Sequence, residues 1–294
     1  MQAGARGLGV AAVLGAAMLW GSTGTLQALL PAARDPLVVG ALRLLVGALT
    51  LLAIAALHGP SRRALAGLRA PWLLAAGGAM AAYNLLFFRA VLDVGVGIGT
   101  ALTIGSAPVW VLLWELARHR RLPRGLRLLG QAICIAGATI LAMAGQALDA
   151  SAPGIAAALL SGAAYAGYSL LTSRFGGDAP PAAIAAATFG TAALLTLPVL
   201  ALRPLGWALA PGAWPWLLML GMVSTGLSYA LYTYGLRLVA AGTAVTLALA
   251  EPLTAWILAT VIVGEPVTAP KLAGALLLIA GLLLVTAIPA RRRA

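Results

Sequence analysis

Two charged side chains stand where a charge is expensive. Glu251 falls inside a long apolar run directly before Pro252, and Arg43 lies about seven residues into another. A charge at such a depth costs roughly 2.5 kcal/mol or more, so each asks for a reason. Glu251 can carry a proton, serve as counter-ion to a cationic or amino group, or accept from backbone donors that the proline disturbs. Arg43 can draw an anionic group such as a substrate carboxylate, or it can snorkel or pair with a polar neighbour. Glu115 closes a run beside Arg118 and reads as half of an interfacial ion pair.

Polar and aromatic residues form stripes within other apolar runs. Tyr83, Asn84, Phe87 and Phe88 lie together on about one helical turn, and Ser224, Ser228 and Tyr232 recur at i, i+4, i+8 on one face. Thr103, Ser106 and Trp110 share roughly a face, while Trp20, Tyr165 and Ser169 sit in two further runs. Aromatics at membrane ends form interfacial belts. These lie deeper, where they wall a cavity or pack helices. Pro108 and Pro252 fall mid-run, where a proline frees a carbonyl and permits bending. With Gly21 they are the candidate hinges.

Other chemistries find no support. The chain has no G-x-x-x-x-G-K-[ST], H-E-x-x-H or G-x-S-x-G, so neither a P-loop nor those hydrolase sites are indicated. Gly95, Gly97 and Gly99 lack a preceding strand and suit close helix packing. One cysteine, Cys134, forms no disulfide framework or thiolate cluster, and His58 and His119 lie at run ends near basic loops. No metal and no cofactor is expected. A membrane-embedded enzyme would need a nucleophile, metal or base constellation that is not seen.

The elements that must position these residues follow from composition. Of 294 residues 62% are hydrophobic and 9% charged, too few polar groups to cover a soluble core. Apolar runs span about 8–30, 37–57, 71–91, 94–116, 126–144, 153–172, 181–202, 214–236, 239–263 and 271–288. The expected fold is thus an all-α membrane protein of ten transmembrane helices. Pro71, Pro153, Pro181 and Pro270 stand at helix starts, where a missing N–H costs nothing.

The net charge of +12 does not point to nucleic acid, because the bases fall between apolar runs without aromatic interleaving. With both termini inside, fourteen bases lie on the inner side: Arg6, Arg62, Arg63, Arg69, Arg118, Arg120, Arg121, Arg124, Arg127, Arg174, Arg237 and Arg291 to Arg293. Arg34, Arg89, Arg203 and Lys271 face out. That imbalance predicts cytoplasmic termini.

A repeat completes the organisation. Gly130 and Gly137 recur 144 residues on as Gly274 and Gly281, and Ala107-Pro108 recurs as Glu251-Pro252 at the same offset. Leu19-Trp20-Gly21 pairs loosely with Ala164-Tyr165-Ala166. At nearly this offset Ser228 falls on Tyr83 and Tyr232 on Phe87. Two five-helix units follow, 1–146 and 150–290. Five being odd, the second enters the membrane from the opposite face, as in carriers whose substrate site lies at the midplane between inverted repeats.

The residues also resemble a known family. Leu19-Trp20-Gly21-Ser22, Ala41-Leu42-Arg43, Glu251-Pro252-Leu253 and Gly264-Glu265 followed by Gly274 and Gly281 are similar to the EamA-type ten-helix members of the drug/metabolite transporter superfamily. Within it the chain looks most like the YddG-type exporters of aromatic amino acids. Arg121 stands where the first half's Gly-Glu loop acid would fall, so that signature is not symmetric. The resemblance implies inverted repeats around a central cavity lined by the first, third, fourth, sixth, eighth and ninth helices. It also implies residence in a bacterial inner membrane.

The expected function is a secondary exporter of amino acids and related small amphipathic metabolites by alternating access. The alternative is a proton-coupled drug or organic-cation exporter with Glu251 cycling its proton. Candidate substrate-binding residues are Trp20, Tyr83, Asn84, Phe87, Thr103, Ser106, Trp110, Tyr165, Ser228, Tyr232 and Glu251. The partners are a small-molecule substrate and the lipid bilayer, not nucleic acid. A chain with its own pair of repeats is expected to work as a monomer.

Overall fold

The computed structural model describes residues 2–68, 71–120, 125–145, 151–176 and 179–287. Arg69, Arg121, Arg124 and Arg291 to Arg293, and most of the break between the expected halves, lie outside them. The described residues are helical with short connections and no strand. A buried backbone in lipid must satisfy its own N–H and C=O groups, and an all-helical chain does so segment by segment. Eight helical stretches are long and apolar enough to cross a membrane.

The first stretches are α1 (Gln2–Ala28), α2 (Pro36–Leu57), a short α3 (Gly59–Gly67) and α4 (Pro71–His119). Sequence reading places a loop where α3 forms. His58 precedes it and its Nδ1 meets Ser61 Oγ at 2.7 Å. The α2 start is built from Asp35, whose side chain accepts from Leu37 N at 2.8 Å and Val38 N at 3.4 Å, with Pro36 at the first helical position.

At 49 residues α4 would run about 74 Å, more than twice a hydrocarbon core of about 30 Å. It is broken at Gly95 (φ 78°, ψ 165°), a backbone conformation that other residues strain to adopt. Its N-terminal arm, 71–94, and C-terminal arm, 96–119, correspond to the expected third and fourth runs.

Next come α5 (Gly125–Met143), α6 (Ala152–Phe175) and α7 (Pro181–Leu202). The run from Trp214 to Leu238 is less regular: α8 (Trp214–Gly221) passes through a π-helical stretch, Met222–Leu227, into α9 (Ser228–Leu238). The following run is α10 (Ala241–Leu247), a 3-10 turn at Ala248–Ala250, α11 (Glu251–Leu258) and a π-helical end at Ala259–Val263. The chain then turns at Gly264 (φ 78°) and continues as α12 (Ala269–Ala287).

Glycine crossings set how these helices meet. Side chains added at Gly137 or Gly281 would run into the opposite backbone, with Gly274 O at 2.8 Å from the first and Gly130 O at 2.9 Å from the second. Leu278 N blocks Gly137, and Cys134 N blocks Gly281 at 2.7 Å. As residue number rises along α5, its partner's falls along α12, so the two helices are antiparallel. In lipid, where apolar side chains gain nothing by hiding from tails, such small-residue contacts let backbones approach and supply packing. A second matched pair joins Gly47 of α2 to Gly221 O of α8 at 3.2 Å, and Gly77 of α4 to Thr188 O of α7 at 2.9 Å.

Candidate functional site

The helices converge on a cluster of rings. Trp20 of α1 lies 4.8 Å from Tyr229 and 5.1 Å from Tyr232 by ring centroids, both on α9. It meets Tyr165 of α6 edge-on at 6.2 Å. Tyr165 reaches Tyr232 at 5.8 Å and Tyr83 of α4 at 5.4 Å, and Tyr83 stacks on Phe87 at 6.2 Å. Offset and edge-to-face pairs of this kind are favourable beyond the area they bury. The structure therefore brings Trp20, Tyr83, Phe87, Tyr165 and Tyr232 together, as their residue types suggest.

The same rings are closed off from the outside. Tyr168, Tyr229 and Tyr232 are fully buried, and Trp20 and Tyr165 are only 5% and 4% exposed. They pack ring against ring between the helices.

Three members escaped sequence reading: Tyr168 of α6, Tyr229 of α9 and Phe189 of α7. Phe189 packs 4.4 Å from Tyr229, and Tyr168 stands 6.2 Å from Phe189. The signal for the two tyrosines was the i, i+3 spacing of Tyr165 with Tyr168 and of Tyr229 with Tyr232. Phe189 sits in a run apolar on all sides and carries no such signal.

Polar atoms around the rings divide into satisfied and unsatisfied. Tyr232 Oη and Ser169 Oγ are 2.9 Å apart, Tyr168 Oη and Thr233 Oγ1 3.2 Å, and Ser22 Oγ and Ser224 Oγ 2.8 Å. Ser228 Oγ donates to Ser224 O of the preceding π-helical stretch at 2.8 Å, so its proton is taken up within its own run. Trp20 Nε1, Arg43 Nε, Asn84 Nδ2 and Tyr165 Oη are buried with no hydrogen-bond partner. An unmade buried hydrogen bond costs about 1–3 kcal/mol, so four in one neighbourhood call for an explanation.

Arg43 belongs to this neighbourhood. It is 5% exposed, and its Cζ lies 5.9 Å from the Phe88 ring centroid. Glu251 is partly buried at the start of α11, where the 3-10 turn ends and Pro252 begins the next helical turn. Its carbonyl sits 2.8 Å from where a Gly21 side chain would begin, with Thr254 Cβ at 2.6 Å. Gly21 therefore lets α1 approach α11 closely. Pro252 adjoins irregular helix, whereas α4 runs on as α-helix through Pro108.

The third expected group lies elsewhere. Thr103 Oγ1 donates to Ala158 O at 3.2 Å, Ser106 Oγ to Thr103 O at 3.2 Å, and Trp110 Nε1 to Leu159 O at 3.0 Å. Thr103 and Trp110 stitch α4 to α6, Ser106 bonds within α4, and Trp110 is 37% exposed. A shared helical face does not fix which neighbour that face meets. Glu115 makes no ion pair with Arg118. It faces Arg127, and the two side chains flank Gly242 in a small cleft that Pro108 and Gln131 also line. Among the described residues no group of three His, Cys, Asp or Glu could hold a metal.

Comparisons with known proteins agree with this architecture. The sequence profile of the EamA-like transporter family matches residues 7–143 and again 152–287. The chain is 36% identical over 281 residues to the uncharacterized transporter YwfM of Bacillus subtilis (strain 168), covering 96% of this chain and 94% of that protein. It is 35% identical over 264 residues to the uncharacterized protein PA1977 of Pseudomonas aeruginosa, covering 86% and 85%. A protein of known crystal structure, 21% identical, superposes with a TM-score of 0.81 over 98% of each chain and shares the fold. Apolar helices in this number, two matches to one transporter profile and a transporter relative along nearly the whole length lead to one assignment: the chain is a multi-pass membrane transporter belonging to the EamA-like family.

Proposed function

We propose that the protein is a secondary exporter of amino acids, aromatic and other neutral ones, and of related small amphipathic metabolites. It works by alternating access between two inverted five-helix repeats, 1–146 and 150–290, around a site that opens and closes at their interface. It resides in a bacterial inner membrane with both termini in the cytoplasm and functions as a monomer. The ten crossings are α1, α2, the two arms of α4, α5, α6, α7, the run 214–238, the run 241–263 and α12.

Inversion is supported by the glycine crossings. The contact of Gly137 with Gly274 becomes the contact of Gly281 with Gly130 when 144 is added to one residue and subtracted from the other. Such an exchange is what a two-fold axis produces. Since α5 and α12 are antiparallel, that axis runs across the helices and turns one repeat upside down relative to the other. The two profile matches support the same division.

The substrate reading rests on one observation, the ring cluster with unpartnered polar atoms at its edge. Rings suit flat or apolar side chains, and a few polar groups orient the other end of a ligand. Rings closed on one another suit the occluded stage of a cycle.

The test is counterflow in proteoliposomes with labelled phenylalanine, tryptophan and other neutral amino acids beside one lipophilic cation. Flux of the amino acids is expected, with Tyr229→Ala cutting it at least about tenfold by removing ring contacts to Trp20 and Phe189. Flux of the cation alone would sink this reading and favour a cation exporter centred on Glu251.

A further inference from the structure

The rings account for an apolar side chain, but not for the two charges beside them. Arg43 and Asn84 come from different helices and share one surrounding. Asn84 Nδ2 lies 2.7 Å from where a side chain at Gly40 would begin, and Gly40 sits one turn before Arg43 on α2. The Phe88 ring lies against both, its Cδ2 2.6 Å from the same Gly40 position and its centroid 5.9 Å from the guanidinium carbon. Gly40 thus makes room for the amide beside the arginine.

Both groups are buried, 5% exposed for Arg43 and 2% for Asn84, and both have a nitrogen without a partner. Arg43 Nε and Asn84 Nδ2 are donors only, as is the unpartnered Trp20 Nε1. Unfilled donors around a buried cation favour an anionic acceptor. A guanidinium matches a planar carboxylate with two parallel hydrogen bonds, so a carboxylate fits this group better than a spherical anion.

The opposite charge, Glu251, comes from α11. Arg43 and Glu251 form no ion pair with each other, unlike Arg89 with Asp93, Arg203 with Asp35 and Lys271 with Glu265. Glu251 meets α1 at Gly21, the neighbour of Trp20, so it stands at the edge of the same ring cluster. A buried cation and a partly buried carboxylate, neither paired with the other, are costly, and a ligand carrying both complementary charges removes that cost.

The geometry points to a two-part ionic site: Arg43 and Asn84 take the carboxylate of a zwitterionic substrate, and Glu251 takes its ammonium, with the Trp20, Tyr165 and Tyr229 rings receiving the side chain. This rests on the exporter reading and sharpens it. The protein selects for the α-amino acid group itself, not for an aromatic amphiphile in general.

Competition against labelled phenylalanine counterflow tests it. Phenethylamine lacks the carboxylate and 3-phenylpropionate lacks the amine. On the wild type each should inhibit at least about tenfold more weakly than phenylalanine, the loss of one charge-assisted contact. In Arg43→Gln the advantage of phenylalanine over phenethylamine should collapse, and Arg43→Lys should restore part of it. In Glu251→Gln the advantage over 3-phenylpropionate should collapse instead. These ratios do not depend on how much variant protein folds, so a bracing role alone would leave them unmoved.

Should Arg43→Gln fail to fold, Asn84→Ala and the wild-type panel decide. Equal inhibition by all three compounds on the wild type overturns the ionic site while leaving amino acid export standing. So do variants that slow flux without changing any ratio. Absence of flux for every amino acid overturns the exporter reading and this inference with it.

Discussion

Pro108 and Pro252 stand 144 residues apart at matched places in the two halves, yet the helices around them differ. Through Pro108 the C-terminal arm of α4 continues as α-helix. Ahead of Pro252 the chain tightens into a 3-10 turn at Ala248–Ala250, and it loosens into a π-helical stretch after Leu258. The preceding run repeats the contrast. Its counterpart in the N-terminal arm of α4 is regular, while Met222–Leu227 is π-helical, with Thr225 Oγ1 donating to Leu220 O five residues back at 2.9 Å. Irregular turns of these kinds gather at functional hinges. The second half thus holds the irregular turns at the matched places, and it brings Tyr229, Tyr232 and Glu251 to the cluster. The first half is regular at those places and brings Trp20, Arg43 and Asn84.

The halves agree most closely at the crossing of α5 and α12, and the largest expected effect lies there. Gly137→Leu drives a side chain into Leu278 N and Gly274 O, and Gly281→Leu drives one into Cys134 N and Gly130 O. Each should destabilise the detergent-solubilised protein by roughly 3 kcal/mol or more, since neither obstacle is a side chain that can move aside. Gly78, with nothing within 4 Å, is the control, and Gly78→Leu should leave thermal stability near wild type. Thermal unfolding followed by size exclusion gives the comparison. A large loss at Gly137 with none at Gly281 would break the equivalence of the two crossings.

The bend comes next. Pro252→Ala restores an N–H where the 3-10 turn now ends and allows regular helix through that point. Transport should slow about tenfold with substrate affinity nearly kept, whereas Pro108→Ala should change it by about threefold or less, because its helix is already regular. Counterflow rates and equilibrium binding on both variants check this. Equal losses would mean that the two prolines bend together during the cycle and that the observed asymmetry belongs to one stage of it.

How much of this the sequence discloses depends on which physical signal carries it. The crossings are legible because twenty apolar residues in a row have few alternatives, and the bounds of α2 and α7 fall within a residue of the expected runs. The glycine repeat is legible because close helix approach demands small residues at fixed spacing. The eighth and ninth runs give no sign of their π and 3-10 turns, which arise from what packs beside them and not from propensity. Side-chain direction is the weakest signal. Thr103, Ser106 and Trp110 share a face, and that face meets α6 and not the rings. Phe189 is invisible for the opposite reason, since every face of its run is apolar.

The smallest effect concerns the two bases at matched positions near the start of α5 and of α12, Arg127 and Lys271. Arg127 crosses between the halves, its Nη2 donating to Thr243 Oγ1 of α10 at 2.7 Å. Lys271 stays within its own half, its Nζ bonded to Glu265 Oε2 at 2.8 Å. The same position is therefore a clasp at one end of the molecule and a local loop contact at the other. A hydrogen bond from a charged donor is worth about 1.5–3 kcal/mol, enough to bias an opening equilibrium without dictating the fold. Arg127→Gln should loosen the end that holds Thr243, and Lys271→Gln should not. The sole cysteine, Cys134, is buried, so a single Gly242→Cys reports on the cleft. Its maleimide labelling should accelerate several-fold, in the range of about 3 to 10, when Arg127→Gln is added, and stay unchanged with Lys271→Gln. Acceleration by both would show that the two ends are held by one coupled network, and the regular and irregular halves would then have to move as a unit.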